Sequence, residues 1–232
     1  MSKKQVKLFP PLRGVYVDLS KVPDPVFAEK MVGDGFAIDP LENVLYSPID
    51  GKIKSIHRAK HAITLESESG FDILIHIGLE TVSLGGKGFD VKVKEGQLVK
   101  VGDKLTEFDM DYIAGNVVAL ITPVLVTDME EKQISIDILP HGVVTDLNQA
   151  IMLVTLGGEK AAQLADTSVA PVVASLESEL ITIPNTHGIH ARPAAQLNAI
   201  ARKYPNNEIL MLKGEQSANV TSVVSLLSLS VQ

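Results

Sequence analysis

The stretch AKHAITLESESGFDILIHIG, residues 59–78, decides the fold of the first part of this chain. Its last third has apolar residues at every second position, which is typical of a strand with one buried face: Phe71, Ile73, Ile75 and Ile77. The opposite face carries Asp72, Leu74 and His76. A second strand-like run precedes a turn near Glu68–Gly70, so the stretch predicts a β-hairpin.

The two histidines of this hairpin are predicted to lie side by side. Opposite residues are expected to have numbers that sum to about 137, which pairs His61 with His76 on one face of neighbouring strands. One imidazole can then attack as a nucleophile while the other hydrogen-bonds the transferred group. From the residues alone, two alternatives stay open: a pair of buried structural histidines, or half of a metal site that a carboxylate completes.

The composition of the 232 residues excludes several classes of protein. Acidic residues outnumber basic residues 28 to 21, and a formal charge of -7 argues against a general nucleic-acid-binding protein. The absence of cysteine excludes disulfides, thiol nucleophiles and cysteine-ligated zinc. Neither a signal peptide nor an apolar run of about 18 residues is found, so no membrane insertion is predicted and a cytoplasmic location is expected.

The chain divides into parts that differ in pattern. Residues 1–150 contain short strand-like runs between turn signals such as SPIDGKI, LGGKGFD and KVGD, which predicts an all-β sandwich or barrel. Residues 151–176 are rich in Ala, Gly and Ser and are interpreted as a linker. Residues 177–232 hold four basic and four acidic side chains, so the preceding residues carry the whole net charge.

The last part, residues 177–232, has an α+β pattern. ELITIPN and EILMLKG are predicted strands, and TSVVSLLSLSV begins a helix near the end of the chain. ARPAAQLNAIARKY predicts a helix between the strands, with apolar residues at helical spacing: Leu197, Ile200, Ala201 and Tyr204. Because the sheet would have too few strands, we expect this domain to be incomplete at its C-terminus.

The segment THGIHARPAAQ, residues 186–196, places His190 just before the predicted helix. Pro193 suits a first helical turn, where unpaired backbone N–H groups favour an anion. Arg192 adds a planar cation that matches phosphate geometry. A neutral imidazole is a competent nucleophile, so His190 fits a phosphohistidine. The alternative is an exposed polar residue without chemistry.

The first part resembles the glucose-type IIA domain of the sugar phosphotransferase system. The resemblance runs from Val6 to Thr145 and rests on VPDPVFAEKMVGDGFAIDP, SPIDGKI, HAITLESESGFDILIHIGLETV, GFDVKVKEGQLVKVGDKLTEFD and TPVLVT. It implies that His76 is phosphorylated through Nε2, that His61 supports it and that Thr64 can orient His61. Zinc can bind between the two histidines in this family when a partner supplies a carboxylate. His57 and His141 match no motif and are assigned to the surface or to structural roles.

The same resemblance implies a docking surface for partners. Two acidic residues are expected to meet an arginine of the phosphate-carrying partner: Asp24 and Glu80, the second of which is commonly Asp in the family. An apolar patch is expected around them: Phe27, Val32, Phe36, Ile38 and Ile77.

The last part resembles HPr, the histidine-containing phosphocarrier of the same system. HGIHARPAAQL matches its active-site segment, and NVTSVVSLLSLSV matches the stretch that carries a regulatory serine, here Ser222. The resemblance covers the first two thirds of an HPr domain, an open-faced β-sandwich with helices on one side. It implies that His190 is phosphorylated on Nδ1 with assistance from Arg192. A IIA domain joined to HPr is the arrangement of multiphosphoryl transfer proteins.

Together the two resemblances imply a phosphoryl relay. Phosphate would pass from enzyme I, charged by phosphoenolpyruvate, to His190, then to His76, then to a IIB domain of a sugar permease on another chain. No cofactor beyond the transferred phosphoryl group is expected. The alternative is a regulatory module that binds partners according to its phosphorylation state. A zinc peptidase is disfavoured because the chain has no His-x-His pair.

Overall fold

A computed structural model describes residues 4–127, 129, 132–139, 142–157, 178, 189, 191–204 and 207–229. The first part contains short strands throughout: β1 (Lys4–Leu8), β2 (Gly14–Asp18), β3 (Asp34–Pro40), β4 (Val44–Tyr46), β5 (Gly51–Ile56), β6 (Ala62–Ser67), β7 (Asp72–His76), β8 (Phe89–Val91), β9 (Leu98–Val99), β10 (Lys104–Phe108), β11 (Thr122–Val126), β12 (Ile134–Ile138), β13 (Val143–Val144) and β14 (Met152–Leu156). Two helices of about one turn interrupt them: α1 (Pro25–Ala28) and α2 (Met110–Ala114).

The strands form a sandwich of antiparallel sheets. An eight-stranded sheet has the order β13-β2-β3-β11-β7-β6-β5-β9, and two three-stranded sheets have the orders β1-β14-β12 and β4-β10-β8. Large apolar side chains from all three sheets form one inner core, in which Phe36, Phe71, Ile73 and Ile75 are fully buried. Each buried side chain of this size stabilises the fold by about 1.5–3 kcal/mol. The predicted all-β sandwich is confirmed, as is the buried face of the strand at residues 71–77.

The central hairpin β6–β7 has a register one residue away from the predicted one. Ala62 lies opposite His76 and Glu66 lies opposite Asp72. The loop contains three residues, 68–70, because the backbone N–H of Ser67 bonds the carbonyl of Phe71 at 2.8 Å. Gly70 closes this loop in the left-handed conformation, with φ of 81°. A three-residue loop with a left-handed glycine is a common hairpin turn, and it shifts the pairing that was predicted.

The first part extends past the predicted boundary at residue 150. β14 lies between β1 and β12 and pairs with both, so it belongs to this domain. The boundary is therefore wrong by at least the six residues that run to Leu156. Residues 158–176 of the predicted linker, and the predicted strand ELITIPN, lie outside the described residues.

Among the described residues, the last part contains α3 (Ala191–Ala201), the antiparallel hairpin of β15 (Leu210–Lys213) and β16 (Gln216–Asn219), and α4 (Val223–Ser228). The second predicted strand and both helices are confirmed. The predicted apolar face of α3 is partly wrong, because Ile200 and Tyr204 are 54% and 56% exposed. The buried residues of this helix are small: Ala194, Ala195, Asn198 and Ala201. Small side chains let a helix approach its neighbours closely.

A second apolar cluster joins the two parts, and we call it the shared cluster. From the first part it includes the outward-facing residues of the large sheet and of α1: Val26, Phe27, Val32, Ala37, Ala62, Leu74, Leu79 and Leu125. From the last part it includes residues of α3, β16 and α4: Ile189, Ala194, Ala195, Ala201, Ala218, Val220, Val223, Leu226 and Leu229. The outer face of the large sheet is therefore covered by the last part of the same chain. Among the helices described, none has the length and apolar character that crossing a membrane requires.

Candidate functional site

His76 is the last residue of β7 and lies on the outer face of the large sheet, 7% exposed. Its ring is edge-on to two others, with centroids 5.2 Å from Phe27 and 4.6 Å from His61. The Nδ1 atom of His76 is 2.8 Å from the carbonyl oxygen of Gly78. A carbonyl only accepts hydrogen bonds, so Nδ1 carries the proton and Nε2 carries the lone pair. In the neutral ring, Nε2 is therefore the nitrogen that can act as a nucleophile.

The backbone after β7 is shaped to supply that carbonyl. Gly78 has φ of 69° and Glu80 has φ of 62°, so two left-handed residues follow the strand. A non-glycine residue in this region costs of order 1–2 kcal/mol and is found mostly at functional sites. The hydroxyl of Thr81 donates to the carbonyl of Ile77 at 2.9 Å and closes the turn. The turn thus fixes the tautomer of His76 and brings Glu80 to the rim of the site.

Gly78→Ala is expected to slow the phosphorylation that the resemblance implies for His76 by at least about tenfold, because misplacing a catalytic group by about 1 Å can cost about 10²-fold in rate. A Cβ at residue 78 would lie 2.7 Å from Cγ2 of Thr81 and 3.1 Å from the carbonyl oxygen of Ala119, so the Gly78 carbonyl must shift. Gly85→Ala is the matched control, because Gly85 is also left-handed at φ of 59° but a Cβ there would meet nothing within 4 Å. Single-turnover labelling of His76 compares the variants. Equal rates for both would show that the carbonyl does not set the tautomer.

His61 reaches His76 although the two are not opposite each other in the register. It precedes β6 and follows Lys60, which is left-handed at φ of 58°. The backbone N–H of Ile77 bonds the carbonyl of His61 at 2.7 Å, and the His61 ring is 2% exposed. The predicted proximity of the two imidazoles is confirmed, with ring centroids 4.6 Å apart. Thr64 lines the same pocket as His61 and His76.

A third imidazole, His57, for which a surface or structural role was expected, extends this group. The ring centroid of His57 is 4.5 Å from that of His61, and both rings line one pocket with His76. Leu227 of α4 also lines that pocket, so the last part of the chain covers it. The sequence signal that could have found His57 is its position four residues before His61, across a tight turn.

Arg192 of α3 lies between two carboxylates of the first part. Its Nη2 atom is 3.2 Å from Oδ2 of Asp24 and 2.6 Å from Oε1 of Glu80. The other oxygen of Asp24 accepts the backbone N–H of Val26 at 3.0 Å and caps α1, which holds this carboxylate in place. Both acidic residues expected to meet an arginine of a phosphate carrier therefore contact one.

The charges at this rim reinforce one another. Burial lowers the pKa of Arg192, but the negative charges of Asp24 and Glu80 and their hydrogen bonds outweigh burial and raise the pKa above its ordinary value. The guanidinium therefore stays charged beside the pocket that His76 lines. A permanent cation at this place is suited to stabilise a phosphoryl group as it moves.

The apolar patch expected around the site is only half correct. Phe27 and Val32 belong to the shared cluster and are covered by the last part of the chain. Phe36, Ile38 and Ile77 are fully buried in the inner core, so the expectation that they face a partner is wrong. Alternation along β3 explains the difference, because Ala37, between the first two, is the residue that faces outward.

The predictions that remain concern His190, His141 and Ser222, and zinc binding at His61 and His76. His190 and His141 lie outside the described residues, whereas Ile189 is buried in the shared cluster. Ser222 is the N-cap of α4, where its hydroxyl oxygen accepts the backbone N–H of Ser225 at 3.3 Å. Within the described residues, no three His, Asp or Glu side chains are grouped to hold a metal ion.

Comparison with known protein families agrees with this arrangement. A family model described as phosphoenolpyruvate-dependent sugar phosphotransferase system, EIIA 1, matches residues 6–132. A second, described as PTS HPr component phosphorylation site, matches residues 177–232. EIIA and HPr domains are phosphotransferase components that carry phosphohistidine, so the two parts of the chain have related chemistry.

Relatives of the first part are glucose-specific EIIA components of the phosphotransferase system. The component from Staphylococcus epidermidis is 45% identical over 130 residues, which is 56% of this chain and 78% of the relative. The component from Staphylococcus aureus is 40% identical over 154 residues, 66% of this chain and 92% of the relative. The solved structure of the glucose permease IIA from Mycoplasma capricolum has a TM-score of 0.61 and 37% identity, covering 65% of this chain and 96% of that one. The chain therefore belongs to the EIIA family of the phosphoenolpyruvate-dependent sugar phosphotransferase system and carries an HPr domain in the same polypeptide.

Proposed function

We propose that this chain relays a phosphoryl group from enzyme I to His190, from His190 to His76, and from His76 to a IIB domain of a sugar permease. The observation that carries the proposal is the position of Arg192, two residues after His190, between Asp24 and Glu80 at the rim of the His76 pocket. His190 is two residues from Arg192 in the sequence and belongs to the segment matched as an HPr phosphorylation site. The carrier and acceptor domains of one chain are thus supported as donor and acceptor for each other.

The transfer from His190 to His76 exchanges one nitrogen–phosphorus bond for another. The lone pair on Nε2 of His76 attacks phosphorus, the bond from phosphorus to Nδ1 of His190 breaks, and its electron pair returns to His190. The proton on Nδ1 of His76 stays in its hydrogen bond with the Gly78 carbonyl, which stabilises the positive charge that the ring gains. Arg192 offsets the negative charge of the phosphoryl oxygens, and the buried surroundings limit attack by water.

The transfer from His76 to a IIB domain requires the HPr domain to be replaced by the IIB domain at the same face. His76 is 7% exposed while the HPr domain covers the outer face of the large sheet. An acceptor domain can approach Nε2 of His76 only after α3 and α4 have moved away. Residues 1–232 contain no cysteine, and the IIB domains of this branch accept phosphate on a cysteine, so the acceptor is proposed to lie outside these residues.

Enzyme I and labelled phosphoenolpyruvate test the order of the relay. We expect acid-labile, base-stable label on both His190 and His76 of the full chain, which is the behaviour of phosphohistidine. In His190→Ala, label on His76 is expected to fall at least about 10³-fold, because the donor nucleophile is removed. Adding a separate HPr protein should restore part of it. Full labelling of His76 in His190→Ala without added HPr would contradict the proposed order.

A further inference from the structure

The His57 ring completes a row of three imidazoles beneath the HPr domain. The centroids are 4.5 Å apart from His57 to His61 and 4.6 Å apart from His61 to His76. Exposure falls along the row, from the half-buried His57 to the buried His61 and His76. His57 therefore contacts His61, the histidine that is proposed to support His76.

A tight turn between β5 and β6 sets the first two rings of the row side by side. The backbone N–H of His57 bonds the carbonyl of Ala62 at 2.9 Å, and the N–H of Lys60 bonds the carbonyl of His57 at 2.6 Å. Lys60 takes up the left-handed conformation that closes the turn. Strain in a non-glycine residue persists where its surroundings over-determine it, often next to a functional group. Here the strained residue immediately precedes His61.

Hydrogen bonding defines the chemical state of the His57 ring. Its Nδ1 atom accepts the backbone N–H of Ala59 at 3.1 Å. An imidazolium has a proton on both nitrogens and could not accept this bond, so the contact favours the neutral ring with its proton on Nε2. Glu95 lines the same pocket, and its Oε1 accepts the backbone N–H of Ile56 at 2.8 Å. At the His57 end of the three rings, both His57 Nδ1 and Glu95 Oε1 therefore accept backbone N–H groups.

We propose that His57 is a positioning residue for phosphoryl transfer at His76, which acts by fixing the orientation of the His61 ring. His61 can support the phosphoryl group only if its ring plane is held, and the neighbouring His57 ring, tilted by 59° with its centroid 4.5 Å away, restrains that plane. A misplacement of about 1 Å in a catalytic group can cost on the order of 10²-fold in rate. The inference rests on the proposed role of His76, but the contact between His57 and His61 stands independently of it.

Two substitutions separate the ring contact from the turn. His57→Asn keeps an oxygen that can accept the Ala59 N–H but removes the ring, whereas His57→Phe keeps a ring of similar shape and removes that acceptor. In the full chain with enzyme I and phosphoenolpyruvate, we expect single-turnover transfer to His76 to fall about 5- to 20-fold in His57→Asn. We expect it to stay within about threefold of the unchanged protein in His57→Phe. NMR couplings of the His61 side chain, measured without phosphate, are expected to show one ring orientation in the unchanged protein and in His57→Phe, and averaging between orientations in His57→Asn.

The proposal is overturned if His57→Asn transfers at the unchanged rate, or if His57→Phe is as slow as His57→Asn. It is also overturned if the orientation of the His61 ring is the same in all three proteins. The orientation measurement needs no phosphate, so it distinguishes a failure of this inference from a failure of the relay. If the unchanged chain never labels His76 but the His61 ring orientation still responds to His57→Asn, the relay is wrong and the positioning contact stands.

Discussion

His76→Gln is expected to abolish stable labelling of residues 4–157 while label on His190 persists. The substitution removes the Nε2 lone pair that the Gly78 carbonyl holds ready, and no neighbouring group replaces it as a phosphate acceptor in the proposed relay. Loss of a nucleophile lowers the rate of its step by at least about 10⁴-fold. Labelling with phosphoenolpyruvate and enzyme I, followed by peptide mapping under alkaline conditions, measures the effect directly.

His61→Gln is the matched control for this experiment, because it changes the neighbouring buried imidazole in the same way. We expect it to slow transfer by about 10²-fold and to leave the label on His76, as loss of a supporting hydrogen-bonding group does. A chain that is labelled in His76→Gln but not in His61→Gln would reverse the two assignments. Thermal unfolding of both variants shows whether either loses its fold.

Arg192→Glu is expected to lower the rate of transfer from His190 to His76 by about 10²–10³-fold. A carboxylate would replace the guanidinium between Asp24 and Glu80, so three negative charges would meet where an ion-pair network now lies. Like charges brought together at an interface cost several kcal/mol, and the cation that offsets the phosphoryl charge is lost as well. Rapid-quench measurement of label on the two histidines of the full chain gives the rate.

Lys203→Glu controls for the change in net charge, because Lys203 is exposed just beyond the end of α3. Its rate is expected to stay close to that of the unchanged protein. Adding Glu80→Arg to Arg192→Glu restores one opposite-charge pair and should recover about tenfold of the lost rate by restoring the contact between the domains. If Arg192→Glu transfers phosphate as fast as Lys203→Glu does, the contact of Arg192 with the two carboxylates has no part in transfer.

Short sequence patterns predicted the strands and helices of this fold because each pattern depends only on residues that are close together in the sequence. Alternation along residues 71–77 identified the side chains that enter the inner core, since successive side chains of a strand point to opposite faces. Proline and glycine signals marked the turns, and the helical spacing after His190 located α3. These features depend on neighbours in sequence and need no knowledge of distant contacts.

The predictions were wrong where the structure depends on contacts between residues far apart in the sequence, or on the backbone angles of a single residue. The hairpin register depends on whether Gly70 adds a third loop residue, and the residue types of Glu68–Gly70 fit more than one loop length. The neighbourhood of His61 and His76 nevertheless came out correctly, because His61 precedes β6 and left-handed Lys60 redirects it. Phe36 and Ile38 were placed on the docking surface by resemblance, although strand alternation opposes it.

The spacing of His57, four residues before His61, does not by itself show that the two rings meet. The role of His57 depends on a turn whose closure is set by backbone hydrogen bonds to Lys60 and Ala62. The burial of alanines on α3 in place of Ile200 and Tyr204 was equally hidden, because the surface that they pack against belongs to a different part of the chain. Such interactions between domains leave no periodic signal in either segment.

Arg192, which contacts Asp24 and Glu80, belongs to the same polypeptide as these carboxylates. The tethered HPr domain therefore competes with free carrier proteins for the face around His76. A module joined by a short tether has an effective concentration in the millimolar range at its neighbour. Free carriers at micromolar levels would be outnumbered at the face around His76. Phosphorylation of His76 would then depend on the phosphorylated fraction of the chain's own HPr domain, and only weakly on the concentration of free phosphorylated carriers.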